Sequence, residues 1–141
     1  MTNMVDKILA TVCILVLILS LVFFSFIEGM EKEESEVLEA TRDYASGGTT
    51  KYITAENLHS RLNDDNTTND PFVLSIRSIE HYALGHIPGA VNIPLNTLFS
   101  EENLAKLPQD RQIVVYCYTG HTASQATALL NVNGYDTLCL K

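Results

Sequence analysis

Twenty consecutive residues without a charge, ILATVCILVLILSLVFFSFI from Ile8 to Ile27, set the first limit on this chain. A helix rises about 1.5 Å per residue, so the run spans roughly 30 Å, the thickness of a bilayer's hydrocarbon core. Secretory signals carry a shorter apolar stretch, about 7–15 residues, and end in a small-x-small cleavage site. Here the run closes on FFSFIEGM with no such pattern, and Cys13 lies too early to belong to a lipoprotein cleavage box. The expectation is an uncleaved single-pass anchor at 8–27 behind a short tail at 1–7.

The flanking charge gives that anchor a direction. Asp6 and Lys7 precede it, whereas Glu28, Glu31, Glu33, Glu34, Glu36, Glu39 and Asp43 follow it against only Lys32 and Arg42. A segment so poor in net positive charge does not resemble a cytoplasmic flank, so the bulk of the chain is expected outside the cytoplasm. The net charge of −8, with no Lys/Arg cluster to meet phosphates, argues against nucleic acid as a partner. At 141 residues, 46% of them hydrophobic, one domain with a real core is the prior.

Residues 28–50 read as an acidic spacer, with helical propensity from Glu31 to Ala45 and a flexible joint at SGGTT, Ser46 to Thr50. From Lys51 the pattern alternates. Thr54 stands as an N-cap for a helix over Ala55–Leu62. Asn63 to Pro71 is a loop by composition, and Phe72–Ile76 a buried strand. A turn region with Gly85, Pro88 and Gly89 leads to a short strand at Ala90–Ile93. A helix over Thr97–Leu107, a strand at Gln112–Tyr116, a helix opened by the capping box Thr122-Ala123-Ser124-Gln125, and a strand at Asp136–Leu140 complete the series. Gly134 takes the C-cap position of the last helix. Strands alternating with helices imply an α/β domain, 51–141, with a mainly parallel sheet flanked by helices.

Cys117 is the first residue beyond the strand of strongest pattern, and ligands in such folds gather at the carboxyl ends of strands. The loop CYTGHTA must turn from strand to helix within about five residues, and Gly120 allows positive φ there. Successive N–H groups in such a turn form an anion nest, and the helix N-terminus adds partial positive charge. A thiol so placed should ionise below its usual value of about 8.5. The loop therefore favours a thiolate nucleophile, although Cys117 as a small buried hydrophobe is the plain alternative. Geometry alone leaves sulfur transfer, phosphate chemistry and redox sensing open. His59, His81, His86 and His121 are scattered and, with no Cys/His zinc spacing, read as surface or turn residues rather than metal ligands. A Cys117–Cys139 disulfide is the one pairing open to the soluble part.

Three stretches, FVLSIRSIEHYALGHIPGAVNIP (Phe72–Pro94), IVVYCYTGHTA (Ile113–Ala123) and the helix ending in GYD (Gly134–Asp136), resemble the rhodanese-like sulfurtransferases. They look like that family's Asp-x-Arg strand with its G-H-I-P-G-A turn, and its active-site strand and loop. The resemblance runs from about Tyr52 to Lys141. It implies that Cys117 accepts sulfur as a persulfide, that the N–H groups of Tyr118, Thr119, Gly120, His121, Thr122 and Ala123 cradle it, and that Thr122 adds a hydroxyl. Arg77 would be a supporting residue.

Donors implied are thiosulfate or a persulfide, acceptors a thiol, cyanide or a partner protein, with no cofactor or metal. Related phosphatases have one more loop residue and an arginine, both absent here, which points to sulfur rather than phosphate. Three departures stand out. Ser75 occupies the Asp position, so Arg77 lacks its usual carboxylate, and the loop has no cation apart from titratable His121. Relatives also continue beyond the position of Lys141 into a further helix, so uncovered apolar surface is expected. A non-catalytic binding or redox-sensing module is the alternative function.

Overall fold

The computed structural model describes residues 3–47 and 51–141. It divides into two compact units, one ending at Glu39 and one running over Ala40–Lys141.

The first helix, α1, covers Met4–Ser46 without interruption. The apolar run and the acidic stretch as far as Ser46 thus belong to one helix. All side chains from Ile8 to Ile27 are exposed, and the helix is long and apolar enough to cross a membrane. The joint expected at Ser46–Thr50 lies, from residue 48 onward, outside the described residues.

The second unit is built on five parallel strands in the order β1-β5-β4-β2-β3. They are β1 (Tyr52–Ile53), β2 (Phe72–Ser75), β3 (Val91–Asn92), β4 (Ile113–Tyr116) and β5 (Thr137–Leu140). Strand side chains alternate between two apolar layers, as the period of two requires. On one face Leu74, Ile113, Val115 and Cys139 pack with Leu98, Leu107, Ala123, Ala126 and Leu130. On the other, Val73, Val114 and Tyr116 pack with Ile53, Leu58 and Ala90. Leu74, Ile113, Val114 and Val115 are wholly buried, and each such side chain contributes roughly 1.5–3 kcal/mol. Burial on both faces is why β4 reads as a continuous apolar run. The expected α/β architecture is the one found.

Helix α2 spans Ala55–Leu62, and Thr54 caps it by accepting a hydrogen bond from the Asn57 N–H at 3.2 Å. Three features differ from expectation. The turn region after β2 holds a helix, α3 (Ile79–Leu84), capped by Ser78. The helix expected over Thr97–Leu107 is two short ones, α4 (Leu95–Leu98) and α5 (Glu101–Leu104). The break falls at Phe99-Ser100, where the Ser100 hydroxyl accepts from the Asn103 N–H and restarts the helix. Finally, α6 spans His121–Val132 with Gly120, not Thr122, at its N-cap and no side-chain cap bond. Helix α6 closes on Gly134, at φ 86°.

The chain crosses from β2 outward to β3, returns to β4, then continues to β5 on the opposite side. The connections after β2 and β4 therefore diverge, and these two strands are neighbours. The crevice beyond their carboxyl ends is the topological switch point, where open parallel sheets bind ligands. Ser75 pairs with Tyr116 at that edge, so Arg77 and Ser78 leave β2 beside Cys117 and Tyr118 leaving β4.

Candidate active site

Cys117 is half-buried at the end of β4, and its side chain packs against the layer formed with α6. Burial alone would raise the thiol's pKa. Hydrogen bonds from the Thr122 hydroxyl and the backbone N–H groups of Thr119, Ala123 and Gly120 outweigh it, and the net direction is down. The loop is thus a nest whose donors converge on sulfur. Its turn depends on Gly120 at φ 82°, a left-handed conformation costly for other residues, with Leu140 O only 3.5 Å from where a Cβ would stand.

The expected capping box does not form because the helix begins two residues earlier, at His121 rather than Ala123. Thr122 then falls inside the first turn, and its hydroxyl serves the Cys117 sulfur instead. Of the six N–H groups expected to cradle a persulfide, those of Thr119, Gly120 and Ala123 bond the thiol. Tyr118 turns outward, 59% exposed.

Arg77 makes no ion pair among the described residues. Its Nη2 donates to Gly85 O at 2.6 Å, its Nε reaches Ser75 Oγ at 3.5 Å, and its guanidinium lies 5.2 Å from the centre of the Tyr116 ring and 6.0 Å from that of Tyr118. Aromatic faces and a carbonyl thus take the place of the missing carboxylate.

Sequence reasoning missed two neighbours, His81 and Lys141, and named Cys139 only as a disulfide partner for Cys117. His81, read as a surface residue, shares a 2.7 Å hydrogen bond between Nδ1 and Tyr118 Oη and packs edge-on against that ring. This contact ties the start of α3 to the loop across 37 residues of sequence. Cys139 is 1% exposed, with its Sγ 3.6 Å from Gly120 O. Burial, and then the charge of Cys117, hold its thiol above the ordinary value. Lys141 joins both cysteines in lining a cavity of about 540 Å³ that also includes Tyr52, Tyr116 and His121. The three cysteines are free thiols, and no group of three metal-ligating side chains occurs among the described residues.

A larger cavity, about 620 Å³, lies under α2 between Leu58, Leu62, Val73 and Ile87, and it does not include Cys117. The smaller one holds the ionisable sulfur of Cys117.

An anion nest around a strand-end cysteine is shared by several enzyme classes, so family membership is what separates them. Residues 54–140 match the family described as "Rhodanese-like domain". The chain belongs to the rhodanese-like domain family. A protein of Allochromatium vinosum called "Sulfurtransferase" is 35% identical over 83 residues, covering 59% of this chain and 73% of that protein. The "tRNA uridine(34) hydroxylase" of Buchnera aphidicola is 30% identical over 91 residues, covering 62% of this chain but only 28% of the relative. Among solved structures, the SSP1007 protein of Staphylococcus saprophyticus superimposes with a TM-score of 0.58 at 25% identity, over 64% of this chain and 86% of that one. The rhodanese-like domain and its sulfurtransferase relative support a function in sulfur transfer.

Proposed function

We propose that this chain is a membrane-anchored sulfurtransferase that moves a sulfane sulfur through a persulfide on Cys117. The observation that carries the reading is Cys117 just beyond the end of β4, in a loop that Gly120 at φ 82° turns into the start of α6, where Thr122 and three loop N–H groups favour its thiolate. A thiolate there attacks the outer sulfur of a donor such as thiosulfate. The new Sγ–S bond forms as the S–SO₃ bond breaks, and sulfite leaves with the electron pair. The same N–H groups then face the charge of the persulfide. An acceptor, whether cyanide, a thiol or a partner protein's thiol, attacks the terminal sulfur and frees the thiolate. No cofactor takes part in these steps.

The family relationship supports sulfur chemistry, and the loop's lack of arginine favours sulfur over phosphate. Helix α1 would hold the domain at a membrane as a single-pass anchor, with the acidic flank favouring an extracytoplasmic domain. The test is thiocyanate formation from thiosulfate and cyanide by the detergent-solubilised full chain. Turnover should fall at least about 10³-fold in Cys117→Ser while circular dichroism stays unchanged. Activity surviving that substitution would remove Cys117 from the mechanism.

A second reading, redox sensing, is favoured by Cys117 and Cys139 lining one cavity. Mild peroxide should then produce a Cys117–Cys139 disulfide in non-reducing peptide maps. Oxidation that stops at Cys117 sulfenic or sulfinic acid, with Cys139 unmodified, would dismiss it.

A further inference from the structure

We propose that Lys141 forms a cationic subsite for an anionic sulfane-sulfur donor in the cavity above Cys117, an inference that rests on Cys117 as the sulfur carrier. The donor's difficulty is electrostatic. A thiolate must be approached by a sulfur that itself belongs to an anion, and the CYTGHTA loop contains neither lysine nor arginine. The tertiary fold supplies the missing charge from elsewhere. β5 runs beside β4, and its continuation brings Lys141 into the wall of the cavity that Cys117 lines.

The surroundings of Lys141 leave its charge available. Its backbone N–H is fixed to Ile53 O at 2.9 Å, and its Nζ lies 5.6 Å from the centre of the Tyr52 ring, which lines the same cavity. Among the described residues it makes no ion pair. Among the described residues that line the cavity there is no aspartate or glutamate, and Lys141 is the only lysine or arginine. Thiosulfate or an organic thiosulfonate has the required form. Its outer sulfur would meet the Cys117 thiolate while its oxygens face Lys141, and sulfite or sulfinate would depart on the Lys141 side with the electron pair of the broken S–S bond.

The experiment loads Cys117 of the full chain in detergent and reads the added sulfur by intact mass, alongside steady-state kinetics with cyanide. Two donors are compared: thiosulfate, and colloidal elemental sulfur, whose neutral ring opens on a thiolate and offers the lysine no charge. Lys141→Gln should raise KM for thiosulfate about three- to fivefold with kcat within twofold, as removal of one exposed ionic contact does. Lys141→Arg should restore KM, raised ionic strength should erase the difference, and loading from elemental sulfur should match the unaltered chain.

An unchanged KM in Lys141→Gln, or an equal loss with both donors, overturns the subsite. A chain that loads from elemental sulfur but not from thiosulfate also overturns it, yet leaves Cys117 as a carrier. Loading from neither donor overturns both readings.

Discussion

The Thr122 hydroxyl bonds the Cys117 sulfur, and that bond is separable from the rest of the nest. Because the hydroxyl stabilises the charged form, its removal must raise the thiol's pKa. Thr122→Val should therefore move the midpoint of the Cys117 alkylation–pH curve upward by about one unit, the scale of a hydrogen bond to a charged group. A midpoint unchanged or lower would show that the N–H groups alone set the ionisation. Cys139 supplies an internal contrast, since burial holds its thiol up and it should alkylate last. Cys117 and Gly120 are legible in the sequence because strand, glycine and helix follow one another within a few residues. His81 and Lys141 are not, and Cys139 is legible only as a disulfide partner, because all three reach the site through pairings of distant segments. Arg77 lies between: its place beside the loop is readable from the Asp-x-Arg likeness. Its actual partners, Gly85 O and the Tyr116 and Tyr118 rings, depend on how the turn after β2 is packed.

Helix boundaries follow caps more faithfully than apolar periodicity. Thr54 caps α2 as its position implies, and Thr54→Ala should cost about 0.5–2 kcal/mol in a urea titration of the folded domain with no effect on the pH dependence of Cys117. A loss below about 0.3 kcal/mol would mean that packing of Leu58 and Leu62, rather than the cap, holds the helix. At Ser100 the same chemistry acts against expectation, restarting a helix in the middle of a stretch whose composition reads as one. Thr122 shows the reverse, a cap-type residue drawn into the site instead. The two-residue strands β1 and β3 are too short to stand out from their flanking turns. They exist because β5 and β2 present open hydrogen-bonding edges to them.

At the scale of the whole molecule, α1 joins two kinds of surface in one helix: an exposed apolar stretch and an acidic continuation. Full-length protein should stay with the membrane fraction after alkaline carbonate washing, and a chain beginning at residue 28 should not; recovery of both in the wash would count against anchoring. The sequence by itself determined the apolar helix, the α/β class, and a cysteine at the mouth of a strand–helix turn. Each of these rests on interactions among residues close in the chain, which periodicity and spacing express directly. Only the tertiary structure decided the strand order that makes the ends of β2 and β4 neighbours, and the company Cys117 keeps with His81-bound Tyr118, Cys139 and Lys141. Those contacts arise from which apolar faces bury together, a competition among remote segments that no local pattern records.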